Sequence, residues 1–546
     1  MSSLTTTPAA LTQSNQRWLS MLAPSLTDCF LAALLAWLFL AGGGKGLLGD
    51  GDTGWHIRTG DYILAHHSVP QQDLFTFTKS NEPWFAWEWL ADILFAYVHG
   101  IWGVKAVALV GGIALCGAAT IVFCRMLWSG GNLFLSLVVA LLSNGATLVH
   151  FLARPHVFTF LLLAISMWLL ARDRRNQDRV VWLLVPITAL WVNVHGGFLA
   201  LLVCLGITVA GYVLGWLFVD RESNLPFVKR YTALAAACSL ATLVNPYGYR
   251  LHMHIAGYLQ SSFVLDTVEE FQSPKFRGEN MLQFEVLLFA GIAIAGMLLA
   301  KRRFVDALLI LFWAQASLTS VRHAPIFVIV SAPILVEELT ENWNRWSRSK
   351  SRQSLAGILR DLGSEFSGGA LRPTIWAPVM LLGLTLSMAN GSTDMWPEDF
   401  PKATFPIAII DQYNTRLAPV TSPMPRIFTS DQWADYLTYR FYPRLKIFVD
   451  GRSDLFGPDL GKEYVHVASG HSDWEDLLTK YRIDTALVPV DWPLAELLKR
   501  SPEWRLLKAD KLAILYERRS PVLTPVLMKS EGSAEVSSST RRKLLP

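Results

Sequence analysis

The chain has 546 residues, 52% of them hydrophobic and only 17% charged, with a mean hydropathy of +0.32. Soluble proteins carry about a quarter charged residues, so a soluble cytosolic enzyme and a disordered scaffold are both excluded. A formal net charge of +4 is too small at this length to mark a nucleic-acid partner. Membrane lipid is the partner that the composition demands, and 21 Trp with 29 Phe suit the boundary between lipid and water.

Apolar stretches long enough to cross a bilayer recur from residue 26 to residue 391. They predict about eleven spans, at 26–45, 104–124, 131–150, 155–171, 180–194, 197–219, 231–247, 284–300, 304–321, 324–337 and 374–391. The fold class is therefore mainly α, a polytopic helical membrane protein. The run from Val180 to Val219 carries no charge and is too long for one crossing. It divides at Asn193-Val194-His195-Gly196-Gly197, where two glycines can turn the chain. The segment 324–337 is short and holds Pro325 and Pro333, which leaves its full crossing open. Residues 29–41 read as part of a span rather than a cleavable signal, because only Arg17 precedes them as a basic residue. All five cysteines lie in apolar runs without a CxxC pair, so they specify neither a disulfide framework nor a zinc site.

Basic residues set the orientation. Arg125 ends the second span, and Arg172, Arg174, Arg175 and Arg179 follow the fourth. Arg221, Lys229 and Arg230 follow the sixth, and Lys301, Arg302 and Arg303 the eighth. All fall on one side if the N-terminal segment 1–25 is cytoplasmic. The loop 46–103, the segment 248–283 and everything beyond 391 then face outward. Residues 392–529 alternate strand-like runs (426–430, 446–450, 485–490, 512–517) with helical ones (431–440, 473–481, 493–500), predicting a small C-terminal α/β domain. The Ser-rich tail 530–546 is expected to be disordered.

Ionisable groups at span ends are where function is sought in a membrane protein. The outer ends carry Arg154-Pro155-His156, Asn193-Val194-His195, Asn245-Pro246-Tyr247 and Arg322-His323. Topology brings them to one level, which predicts a polar, partly cationic pocket; interfacial anchoring is the alternative for any one of them. The first outer loop is the richest segment. Residues 54–66 are expected to form one helix along the membrane, with Trp55, Tyr62 and Ile63 on its apolar face. Residues 87–99 are expected to form a second, with Glu88 and Asp92 together on its polar side. Asp52 precedes the first helix and His56 lies one turn on; helix capping is the alternative for Asp52, and a solvated face for Glu88. Asp50 and Asp52 could ligate a divalent cation, although two carboxylates flanking a glycine specify no metal. The Asp450-Gly451-Arg452 run reads as a structural turn with an Asp–Arg pair, and no GxGxxG or P-loop supports nucleotide binding.

With Asp50-Gly51-Asp52-Thr53-Gly54-Trp55-His56 after the first span and Trp84 to Leu90 entering the second helix, the chain resembles the GT-C membrane glycosyltransferases. The C-terminal domain, with Phe448-Val449-Asp450-Gly451-Arg452 at its centre, is similar to that of bacterial members. The resemblance implies transfer of a sugar from a polyprenyl-phosphate donor to an acceptor hydroxyl of a glycan, lipid or protein outside the bacterial inner membrane. It implies Asp52 as catalytic base with Glu88 as second carboxylate, and Trp55 and His56 shaping the sugar pocket. Arg154, His156, His195, Arg322 and His323 would then bind substrate, the cations facing the leaving phosphate. The sequence has neither a tandem DxD after the first loop nor the WWD-type motif of oligosaccharyltransferases, so the resemblance carries over neither metal dependence nor a protein acceptor. Competing readings are a polyprenyl-linked glycan ligase or polymerase leaning on Arg and His, a transporter or flippase for a lipid-linked solute, and a non-catalytic assembly protein.

Overall fold

The computed structural model describes residues 21–369, 371–390, 395–420 and 423–519. The expected tail 530–546 and most of 1–25 lie outside the described residues. Among the described residues, six helices are long and apolar enough to cross a membrane: Val104–Trp128, Leu133–His150, His156–Asn176, Phe198–Phe218, Met281–Ala300 and Val321–Ser347. Shorter apolar helices, Leu26–Leu40, Arg179–Trp191, Phe304–Thr319 and Trp376–Ala389, stand at four further expected spans. The long uncharged run does divide at 193–197, between helices Leu184–Trp191 and Phe198–Phe218.

Two expectations in this region shift. The helix expected at 231–247 runs instead from Arg221 to Ala241, with Asp220 accepting from the Glu222 and Ser223 backbone N–H groups at 3.3 and 3.2 Å. Its polar first turns, which read as loop, are helical because a good cap precedes them. The segment with two prolines is the central helix Ala324–Ser347, buried throughout from Ala324 to Val336. Pro325 sits in its first turn, where the missing N–H costs nothing, and only Pro333 is interior. This helix packs against the Val104, Leu133, His156, Met281 and Phe304 helices.

The polar groups separate to two ends. The loops expected on one side pair with each other: Arg230 with Asp173 at 2.6 Å, Arg174 with Asp306 at 2.6 Å, and Lys301 and Arg303 each with Glu338 at 2.7 Å. At the opposite end the juxtamembrane helices Asp52–His66 and Trp89–Trp102 pack on one another, close to their expected positions.

The C-terminal region carries a four-stranded sheet, β1 (Ile427–Thr429), β2 (Thr485–Pro489), β3 (Trp504–Ala509) and β4 (Ala513–Arg518), in the order β1-β2-β4-β3. Strand β1 is parallel to β2, and β4 is antiparallel to both its neighbours. The strand expected at 446–450 does not form: the segment holds an isolated bridge at Ile447 followed by a bend, and joins no named sheet. Ile447 instead exchanges backbone hydrogen bonds with the first outer loop, accepting from Phe77 and donating to Phe75, both at 3.0 Å. The α/β region is thus fastened to the loop that carries Asp52. Helix Ser453–Ala468 escapes sequence reading because Gly457-Pro458 breaks its pattern, Gly457 sitting at φ 67°.

Candidate active site

A cavity of about 570 Å³ opens where the first outer loop, the segment around Glu270 and the C-terminal region meet. Asp52 is the first residue of its helix, with Gly51 in the cap position and no side-chain cap. Asp50 supplies the local bond instead, its Oδ1 accepting from the Asp52 N–H at 2.9 Å. The Asp52 carboxylate is therefore released from capping. Its Oδ2 accepts from Arg154 at 2.6 Å, while Oδ1 is buried against the Asp435 carboxyl.

Arg154 is placed by Pro155, which opens the His156–Asn176 helix. Ala153 pins this corner to the loop, donating to Leu47 O at 2.7 Å and accepting from Thr53 Oγ1 at 3.0 Å. The same guanidinium donates to Asp50 Oδ2 at 2.7 Å and to Glu270 Oε1 at 2.9 Å. Burial raises the Asp50 carboxyl to about 6 and also raises Asp52, with Arg154 pulling both back. Burial acts the same way on Glu270, but there Arg154 and Arg322 outweigh it and hold the group below its usual range. Arg322 stands 3.9 Å from Glu270 and over the Phe271 ring, the less committed of the two arginines.

Glu88 is not on a solvated face. It lines the cavity with its side chain 12% exposed, between His56 Nε2 and His195 Nε2, each 3.4 Å away. His195 Nδ1 accepts the Gly197 N–H at 2.9 Å, so the proton of its neutral ring sits on Nε2 and points at Glu88. His56 Nδ1 lies 2.6 Å from buried Asp92. Burial raises Glu88 to about 8, so at neutral pH its carboxyl holds a proton.

The C-terminal region closes the other wall with Asp431, Gln432, Asp450, Gly451 and Arg452. Gln432 accepts from the Gly51 N–H at 2.7 Å. Asp435 Oδ1 accepts from the Gly451 N–H at 3.2 Å and its Oδ2 is buried toward the Asp52 carboxyl. Burial, then the nearby Asp52 and Asp450 charges, push Asp435 well above the carboxylate range. Gly451 has to be glycine: a Cβ there would overlap Asp52 Oδ1. The Asp450–Arg452 turn is a buried ion pair at 2.5 Å whose guanidinium also reaches Asp73 at 2.7 Å and covers the Trp84 ring.

The cavity thus gathers Asp52, Trp55, His56, Glu88, Arg154 and Arg322. His195 joins through Glu88. His156 and His323 turn to backbone carbonyls, of His150 at 2.9 Å and Ala316 at 3.1 Å, and do not line it. Sequence reading missed Glu270 and Asp435. Glu270 has no local signal beyond lying in an outward segment, and Asp435 reads as an ordinary helical carboxylate after the Ser430 cap.

No family model matches the chain, and no curated protein matches it in sequence. Among solved structures it is similar to the oligosaccharyltransferase of Archaeoglobus fulgidus in its apo form, at 14% identity and a TM-score of 0.51, covering 85% of this chain and 69% of that one. A structure of the archaeal oligosaccharyltransferase AglB from the same organism, in complex with an inhibitory peptide and a dolichol-phosphate, is similar at 15% identity with the same TM-score and coverage. With its apolar helices, the chain is a multi-pass membrane protein with a GT-C-like fold.

Proposed function

We propose that this protein is an integral membrane glycosyltransferase that moves a sugar from a polyprenyl-phosphate donor to an acceptor hydroxyl, on the face of a bacterial inner membrane away from the cytoplasm. The observation that carries the reading is Asp52 and Glu88 facing one cavity at the outer end of the bundle, with Arg322 at its edge. The neighbouring fold that holds a dolichol-phosphate supports the donor class.

An acceptor hydroxyl ionises far above neutral pH, so its attack on the anomeric carbon needs a base. Asp52 takes that proton; burial raises its basicity, and Arg154 opposes part of that rise. The new bond forms from the acceptor oxygen to the anomeric carbon as the bond from that carbon to phosphate oxygen breaks, with inversion. Arg322 faces the departing phosphate as a charge-assisted donor. Glu88, protonated at neutral pH, donates to a sugar or phosphate oxygen. A small apolar pocket lined by Val122, Thr147, Phe151, Phe160 and Pro325 lies among the Val104, Leu133, His156 and Ala324 helices. The ligase alternative leans on four Arg and His residues, two of which turn from the cavity.

The test is donor consumption by purified protein in lipid, using a panel of radiolabelled polyprenyl-phosphate sugars, wild type beside Asp52→Asn. Turnover of one donor, lost by about 10²–10⁴-fold in the variant with folding intact, is expected. Equal turnover by both proteins would remove Asp52 from the mechanism.

A further inference from the structure

Three carboxylates converging from separate segments are the usual donor set of a divalent cation, which takes oxygen ligands at about 2.0–2.6 Å. Asp50 and Asp52 of the first outer loop and Glu270 of a second segment converge, but at their centre stands the Arg154 guanidinium. It reaches all three at 2.7, 2.6 and 2.9 Å. With the guanidinium between them, their oxygens stand too far apart to serve one small ion. Among the described residues, His466, His471 and Asp473 are the group of three whose ligand atoms all lie within 4.8 Å, and they sit on the C-terminal surface. Nor can Arg154 step aside easily. Its backbone follows Ala153, which is pinned to Leu47 and Thr53, and precedes the Pro155 helix start. A guanidinium is planar, always charged and forked, so it satisfies several carboxylates at once without any ion.

We propose that Arg154 is the built-in cation of this site, holding with a side chain the place a divalent ion would take, so that the site neither needs nor binds a metal. The residues present do not fit an ion while Arg154 is there. One charge against three carboxylates leaves the cluster negative, with Arg322 alongside Glu270 as its next compensation. Arg154 therefore acts as a positioning residue: it fixes the Asp52 carboxylate and sets its charge, and Arg322 is left as the cation available to a phosphate. For its effect on turnover the proposal rests on the transferase reading; its binding consequence does not.

Mn²⁺ is the probe, titrated into purified full-length protein in lipid nanodiscs and read as loss of the free-ion EPR signal. The surface cluster could take an ion too, so every protein compared carries His471→Ala. The expected result is no bound Mn²⁺ in that background at millimolar ion. One bound Mn²⁺ is expected in Arg154→Gln, lost again when Glu270→Gln is added. Should Arg154→Gln fail to fold, the background protein against Asp52→Asn decides alone, with neither expected to bind. One Mn²⁺ bound by the background and removed by Asp52→Asn would overturn the proposal, and so would a folded Arg154→Gln that binds none. No sugar donor is present, so these results stand whether or not the transferase reading does. If donor turnover is found, it is expected to be unchanged by chelator.

Discussion

The two ends of the helical bundle handle buried carboxylates differently. At one end Asp173, Asp306 and Glu338 have cations on both oxygens: Arg230 spans Asp173, Arg174 and Arg303 divide Asp306, and Lys301 and Arg303 divide Glu338. At the other end Asp50 and Asp52 share the Arg154 guanidinium with Glu270, which Arg322 also compensates, and Glu88 has two histidines at 3.4 Å. A fully paired buried charge is inert, because protonating it breaks bonds already made. An under-compensated one has its proton affinity raised toward neutrality, which is what proton transfer to or from a substrate requires. The first arrangement ties helices together, and the second stores reactivity at some cost in stability.

The sharpest way to break this contrast is to neutralise one carboxylate at each end. Asp52→Asn is expected to lower donor turnover by about 10³-fold with little change in unfolding, since Arg154 keeps Asp50 and Glu270 as partners. Asp306→Asn is expected to do the reverse. Removing one member of a buried ion cluster leaves Arg174 without its carboxylate, while Arg303 keeps Glu338, and should cost about 3 kcal/mol in denaturant-driven unfolding, with turnover per folded molecule unchanged. If both variants lose turnover alike, the two ends are not functionally distinct.

A smaller effect is expected at Gly451. Alanine there meets Asp52 Oδ1 and the Asp435 carboxylate, so the Asp450–Arg452 turn has to move outward. A displacement of a few tenths of an ångström near reacting groups is expected to cost about 10-fold in turnover and little in overall stability. A Gly451→Ala protein with wild-type turnover would show that the C-terminal wall does not shape the site.

The difference between the two ends was only partly legible in the sequence. The positive loops named one end directly, because Lys and Arg bias is a property of chain segments and needs no tertiary information. The span ends with Arg154, His195 and Arg322 pointed to the other, and the acidic loop supplied Asp52 and Glu88. Partners could not be read. Nothing local distinguishes Glu270 from Glu269, its neighbour in an exposed pair with Lys275, yet only Glu270 meets Arg154. Asp435 is brought to Gly451 by a region hundreds of residues from Asp52. The strand pattern at 446–450 was met by a single bridge residue, Ile447, whose partner, Thr76 of the first loop, it could not name. Periodicity reports which face is buried, never against what. The Arg221–Ala241 helix was placed late for a related reason: hydropathy sees where a helix enters lipid, whereas its first turn is set by the Asp220 cap.

The finest test of under-compensation is the pH dependence of stability at Glu88. Its folded carboxyl is raised to about 8, above an unfolded value near 4.3. Between those two values the native protein holds a proton that the unfolded chain has lost, so stability must fall as pH rises through this window and level off above it. Discounting for partial solvent access, the fall attributable to this one group is on the order of 1–2 kcal/mol between pH 5 and pH 9. Glu88→Gln cannot lose the proton and keeps a donor toward the cavity. It is therefore expected to flatten the slope and unfold later than wild type at pH 9, with little difference at pH 5. Turnover should follow the same titration in the other direction of use: if Glu88 acts as a donor, wild-type activity declines above about pH 8, whereas Glu88→Gln, slower throughout, loses that limb. A wild-type unfolding profile flat from pH 5 to 9, or a variant with the same slope, would mean that Glu88 is as well compensated as the carboxylates at the opposite end.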